Sequence, residues 1–319
     1  MIDYTILYRD ELPLDTSWDD QPWDVFISAY NSSQRVEKVF NSAVAINKYW
    51  LIQPDYNYNV TEYPNSGKLI IPKTSNEADC AEAIISKIGV DRLKSSKICI
   101  DVTGFIKPYM MALLRWLLHN GCMKYDIIYS EPMTYADNEN TKFSDGSSYN
   151  VRHVHGMGGV HINDTSNDLL VIGSGYEDDL ISYIAENKNN TKKIHVIGFP
   201  SLRPDMYQEN ILNVQKASES FKGEFRDSKN VVFAPANDPF VTATVLSELV
   251  EDAEKNFQMT NLYLSPLATK PQALGFTLFY LKECLDRPVS MIYPFCSSHS
   301  KATSKGISRI WKYTIELDF

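Results

Sequence analysis

The sequence predicts an α/β protein of two tandem units with mostly parallel sheets, and three observations carry that expectation. Short β-type runs alternate with helical stretches of ten or more residues, the pattern of parallel strands joined by crossover helices. The two halves of the chain match one another, in order, at nearly constant offsets. The 319 residues, 44% hydrophobic and 22% charged, suit two cores better than one and disfavour wholesale disorder.

Taken in order, the first half reads as strands over 24–28, 49–53, 68–71, 97–102 and 126–130, with helices over 33–45, 77–88 and 108–120. The second half reads as strands over 169–174, 193–198, 231–234, 261–265 and 289–293, with helices over 176–186, 206–222, 240–256 and 271–283. Val25-Phe26-Ile27-Ser28-Ala29-Tyr30 pairs with Val171-Ile172-Gly173-Ser174-Gly175-Tyr176, an offset of 176 − 30 = 146. Trp50 to Pro54 pairs with Val196 to Pro200 at the same offset. Ile71-Pro72 pairs with Ala234-Pro235, and Lys107-Pro108 with Lys270-Pro271, both at 163. One insertion of 163 − 146 = 17 residues, at the helix beginning at Met206, reconciles the two offsets. An internal duplication of a Rossmann-like unit follows. The expected domains are an N-terminal arm or edge strand over 1–23, a first repeat over 24–160 and a second over 168–319. Each repeat closes on an alternating basic and apolar segment, Val151 to His155 and Ser308 to Tyr313.

Composition narrows the partners. No run reaches the ~18 apolar residues of a membrane span, and the acidic residues among 1–23 are the opposite of a signal peptide's basic start. A cytoplasmic protein without a membrane partner is expected. A net charge of −9 with no basic stripe argues against long nucleic acid. A small phosphorylated ligand needs only a few cations in one cleft. Cys80, Cys99, Cys122, Cys284 and Cys296 form no close pair, so neither a disulfide framework nor a thiolate zinc site is expected. His153 and His155 share a strand face, but the matching segment around Arg309 keeps no ligand, and no metal is expected. No P-loop and no Gly-x-Gly-x-x-Gly run opens a helix, and no cofactor is expected.

Open parallel sheets bind ligands beyond the carboxyl ends of their strands, where helix N-termini favour anions. Two such ends recur in each repeat. The first is Ser28-Ala29-Tyr30-Asn31, answered by Ser174-Gly175-Tyr176, where Glu177, Asp178 and Asp179 would repel a phosphate in the second copy. The second is Asp101-Val102-Thr103-Gly104-Phe105-Ile106-Lys107-Pro108, answered by Leu264 to Pro271 with Thr269-Lys270-Pro271. Proline near a helix start is pre-organised for it, and it fixes each lysine at the positive end of a helix dipole, where an anion relieves the cost. The expected ligand residues are Ser28, Tyr30, Asn31, Thr103, Lys107, Ser174, Tyr176, Thr269 and Lys270, around a cleft between the repeats.

The stretch from Asp101 to Pro108 resembles the second motif of the CARF family, Rossmann-like sensors of cyclic oligonucleotides in prokaryotic immunity. That motif reads Asp/Asn-x-Thr-Gly-Gly-Thr-Lys-Pro-Met; this chain lacks its second Gly, second Thr and Met. Two copies in one chain look like the SAVED arrangement. The resemblance implies a nucleotide sensor or regulatory subunit in an antiviral defence system. With both repeats assigned, it implies an effector on a separate protein, or a role as a ligand sink or regulatory subunit. Trp23 to Ser28 also looks like the first strand of a TIR domain, some of which cleave NAD. Glu131, expected just beyond a strand with Tyr135 and Glu139 near it, is the candidate acid for that enzymatic alternative; a purely structural subunit is a second alternative.

Overall fold

The computed structural model describes residues 2–15, 17–19, 22–135, 149–204, 206–219, 230–296, 298–301 and 304–318. In the first half of the chain the strands are β1 (Tyr8–Leu12), β2 (Trp23–Ala29), β3 (Ala45–Leu51), β4 (Lys68–Ile70), β5 (Ile98–Asp101) and β6 (Lys124–Tyr135). In the second half they are β7 (Asn150–His153), β8 (Leu169–Ser174), β9 (Lys192–Gly198), β10 (Val231–Ala234), β11 (Leu262–Pro266), β12 (Val289–Phe295) and β13 (Ser304–Glu316). One sheet has the order β1-β13-β6-β5-β2-β3-β4 and the other β10-β9-β8-β11-β12-β7. Each holds a five-stranded parallel core, β4-β3-β2-β5-β6 and β10-β9-β8-β11-β12. In order of appearance both cores run 3-2-1-4-5, the doubly wound Rossmann arrangement. The protein is two Rossmann-like α/β units.

Sequence chemistry accounts for these elements. The central strands β5 and β8 are buried along their whole length, so they are continuous apolar runs rather than alternating ones. Helices α1 (Gln34–Ser42), α2 (Glu77–Ile88), α3 (Val90–Ser95) and α4 (Lys107–His119) serve the first core. Helices α5 (Asp178–Asn187), α6 (Met206–Glu219), α7 (Pro239–Phe257) and α8 (Lys270–Phe279) serve the second. Asn76 caps α2 by accepting from Ala78 N–H at 2.8 Å, and Asp238 caps α7 by accepting from Phe240 and Val241 N–H at 3.0 and 3.1 Å. Gly89, at φ 95°, separates α2 from α3, a conformation that favours glycine; the second copy runs unbroken there as α7. Among the described residues no helix is long and apolar enough to cross a membrane. Cys80, Cys99, Cys122 and Cys284 are buried thiols.

The repeat offsets survive in the elements. β2 and β8 begin 169 − 23 = 146 residues apart, β4 and β10 231 − 68 = 163, and α4 and α8 270 − 107 = 163. The inserted residues coincide with α6; the first copy has only the 3-10 turns Pro54–Tyr56 and Val60–Glu62 between β3 and β4.

The closing strands correct the expected domain boundaries. β7, at the end of the first repeat, runs antiparallel to β12 of the second core. β13, at the end of the second repeat, runs antiparallel to β6 of the first core and carries β1 on its other edge. The compact units are therefore 7–145 with 297–319, here the seven-stranded unit, and 1–6 with 146–296, the six-stranded unit. The expected arm is divided as well. β1 is an edge strand of the seven-stranded unit, whereas Tyr4 is fully buried in the six-stranded unit and donates to Glu283 Oε1 at 2.8 Å. Alternation marks 151–155 and 308–313 as strands but is silent on which open edge receives them, and contiguity was the wrong guide.

Candidate ligand site

In each core the crossover direction reverses between the first and fourth strands, β2 and β5 in one unit, β8 and β11 in the other. At such switch points the carboxyl ends of strands diverge and leave a crevice. Both are pinched by a backbone approach. A Cβ on Gly104 would lie 2.0 Å from Ala29 O, and one on Gly175 would lie 2.7 Å from Leu267 O. Ala29 and Gly175 are equivalent (29 + 146 = 175), as are Gly104 and Leu267 (104 + 163 = 267). The two repeats thus make the same close contact and place the required glycine on opposite sides of it.

In the seven-stranded unit, Ser28 Oγ donates to Asp101 Oδ2 at 2.9 Å and Thr103 N–H to Asp101 Oδ1 at 2.9 Å. Thr103 Oγ1 accepts from Ser130 N–H at 3.0 Å and Oγ at 3.1 Å. Ser28, Asp101, Thr103 and Ser130 are all buried. Ser28 and Thr103, expected to touch ligand, fasten the ends of β2 and β5 to each other and to the middle of β6. Tyr30 and Asn31 lie one step further out. The Tyr30 ring packs on Trp50 and Tyr58, with centroids 5.5 and 5.0 Å away. Asn31 Oδ1 accepts from Ser33 N–H at 3.0 Å. Tyr30 and Trp50, with Glu37, Glu62 and Tyr63, line an open cavity of about 360 Å³, at the small end of ligand-pocket sizes.

Lys107 is the first residue of α4 and Lys270 the first of α8, each half-buried and followed by proline. The sequence places proline first; the helices begin one residue earlier, which puts each lysine in the first turn itself. The caps differ. Thr269 caps α8, accepting from Gln272 N–H at 3.3 Å and donating to Ala236 O at 2.5 Å, so its hydroxyl is committed to the helix. Ile106 holds the equivalent place at α4, and its N–H is taken instead by Gln53 Oε1 at 3.2 Å.

In the six-stranded unit Ser174 is also buried, with Oγ 2.8 Å from His195 Nδ1. Tyr176 is half-buried and its carbonyl accepts from Asn213 Nδ2 at 2.8 Å. Burial, with Lys193 adding to it, pushes the His195 imidazole from its ordinary 6.5 down to about 4. A folded-state value below the unfolded one means the native state resists protonation. Stability is then full above pH 6.5, falls as pH drops through the 6.5–4 window, and levels below it. The expected loss is on the order of 3 kcal/mol. Urea unfolding at pH 7.5 and 4.5 checks it: the drop should be smaller in His195→Gln than in wild type by about that amount, and equal drops would contradict it.

Glu131 is not a loop residue. β6 continues through it to Tyr135, opposite Arg309 of β13. Its carboxylate is buried, accepting from Trp311 Nε1 at 2.6 Å and Ser308 Oγ at 3.5 Å. Glu139 lies outside the described residues. His161 Nε2 is 2.6 Å from Ser290 Oγ, and its ring is 6.2 Å from that of His153. Among the described residues no three His, Cys, Asp or Glu side chains are grouped to hold a metal ion.

Two further buried polar residues lie near these strand ends. Arg35, in the first turn of α1, is 8% exposed and donates from Nη1 to Ser130 O. Gln53, fully buried, has no partner for Nε2. Its place in the sequence marks Arg35, like Lys107, as a cation at the positive end of a helix, but does not reveal its burial.

No family model matches the chain, and no curated protein matches it. Among solved structures, an N-terminal ketoreductase from a macrolactin assembly line is similar over 89% of this chain and 72% of its own, at 9% identity and a TM-score of 0.24. A likeness at that level carries no argument about function.

Proposed function

We propose that this protein binds a nucleotide-type ligand, a cyclic oligonucleotide or a dinucleotide, at the carboxyl ends of its parallel strands. In this reading it is a sensor or regulatory subunit acting on a separate effector protein. One observation carries it: Lys107 and Lys270 occupy the same first-turn position of the helix that follows the switch-point strand in both repeats. A cation there opposes the helix dipole, and an anionic ligand reverses that cost. The open cavity beside Tyr63 and Glu37 supports the reading, since a base packs against a partly exposed ring and the exposed Glu37 accepts from its amino or ribose hydroxyl groups. The defence role rests on the resemblance of residues 101–108 to the CARF motif. The NAD-cleaving alternative loses support from Glu131, whose carboxylate is engaged by Trp311 and Ser308.

A thermal-shift screen against NAD, ATP and cyclic di-, tri- and tetranucleotides, with product analysis of each hit, tests this. A ligand at a hundred times its dissociation constant adds about 2.7 kcal/mol. A stabilising nucleotide recovered intact is the expected result. Its consumption would make the protein an enzyme, and no response to any of them would remove the nucleotide reading.

A further inference from the structure

We infer that Arg35 anchors one phosphate-type group of the ligand, and that the six-stranded unit has no counterpart, so the two repeats bind the ligand unequally. This rests on the nucleotide reading above and adds a residue and an asymmetry to it. A buried guanidinium is costly unless it is paired and hydrogen-bonded. Arg35 is 8% exposed, and among the described residues it pairs with no carboxylate; its one bond is from Nη1 to Ser130 O, and Nε has no partner. The bond to Ser130 holds the guanidinium against the middle of β6, where Ser130 meets Thr103 beyond the end of β5. Its charge is felt by Tyr56, where burial raises the phenol most and Arg35 partly offsets the rise. Tyr56 in turn donates to Gly104 O at 3.2 Å, in the turn that follows β5. Two further unpartnered buried atoms lie on the segments that lead from the ends of β2 and β3, Ser33 Oγ at the start of α1 and Gln53 Nε2 just after β3. Donors left without acceptors in one region favour an acceptor-rich anion that the chain itself does not supply.

The duplication provides an internal control. Residue 35 + 146 = 181 is Ile181, fully buried in α5. An apolar side chain therefore fills this place in the sister fold, and packing alone does not call for arginine. The flanking residues diverge in the same sense. The first turn of α5 carries Asp178 and Asp179 after Glu177, which repel phosphate, whereas that of α1 carries Arg35 with a single acid, Glu37.

The test uses the full chain and inorganic phosphate and pyrophosphate at constant ionic strength, with Arg35→Ile, which copies the sister repeat, and Arg35→Gln, which keeps a donor for Ser130 O. Wild type should gain thermal stability with either anion, and both variants should bind about tenfold more weakly or worse. Without anion, Arg35→Ile should unfold no lower than wild type, because an apolar residue replaces an unpaired charge. Variants that are less stable without anion yet keep the full phosphate response would overturn the inference and make Arg35 a packing residue. If Arg35→Ile fails to fold, the phosphate response of Arg35→Gln decides alone. Phosphate binding that depends on Arg35 in a protein deaf to every nucleotide would sink the nucleotide reading and leave the anion site. A nucleotide bound equally well by wild type and both variants would do the reverse.

Discussion

Gly104→Ala is expected to destabilise the protein by about 3 kcal/mol or more, beyond the usual cost of overpacking. The added methyl would stand 2.0 Å from the carbonyl oxygen of Ala29, well inside contact distance. The obstacle is main chain on both sides, so no rotamer change relieves it. The ends of β2 and β5 would have to part, and parting them breaks the Ser28–Asp101 hydrogen bond that depends on the approach. Urea unfolding gives the free-energy difference directly. A loss under ~1 kcal/mol, the level of an ordinary surface substitution, would mean that the strand ends do not meet as described.

Tyr313→Ala should cost about 3–5 kcal/mol, the range for removing a large buried aromatic side chain. Its location makes the result more informative than its size. Tyr313 is fully buried on β13, opposite Ile127 of β6 and Arg9 of β1. If the closing strands are exchanged, hydrogen-exchange protection should fall in β1, β6 and β5, with β8, β11 and β12 little changed. A contiguous second repeat predicts the opposite distribution. Loss of protection concentrated in β11 and β12 would refute the exchange.

The parallel cores were legible because burial on both faces leaves continuous apolar runs, and because the same element order recurs in both halves. β8 and β10 match their expected spans residue for residue, as does α2. What could not be read was pairing across long separations. Residues 304–316 have the alternation of a strand, yet only the sheet order shows that their partners lie some 180 residues upstream. The roles of strand-end residues were hard to read for a related reason. Ser28, Thr103 and Ser174 stand at or just beyond strand ends, but small hydroxyls there serve two purposes. Ser28, Thr103 and Ser174 turn inward to satisfy buried partners, as buried polar groups must, while Lys107 and Lys270 keep the places that the Lys-Pro pairs marked. Arg35 was overlooked because a charged residue on a short helix reads as solvent-facing; its burial follows from α1 packing across β5, β6 and β13, which no local pattern encodes.

The most direct test of the central claim is a titration of Lys107→Ala and Lys270→Ala with whichever nucleotide most stabilises the wild-type protein, read by calorimetry. Each ammonium lost from a charge-assisted contact should weaken binding by about 1.5–3 kcal/mol, or roughly 10- to 150-fold, with unfolding midpoints in the absence of ligand close to wild type. Affinity unchanged in both variants would contradict the account, because the paired helix-start lysines would then have no part in holding the ligand.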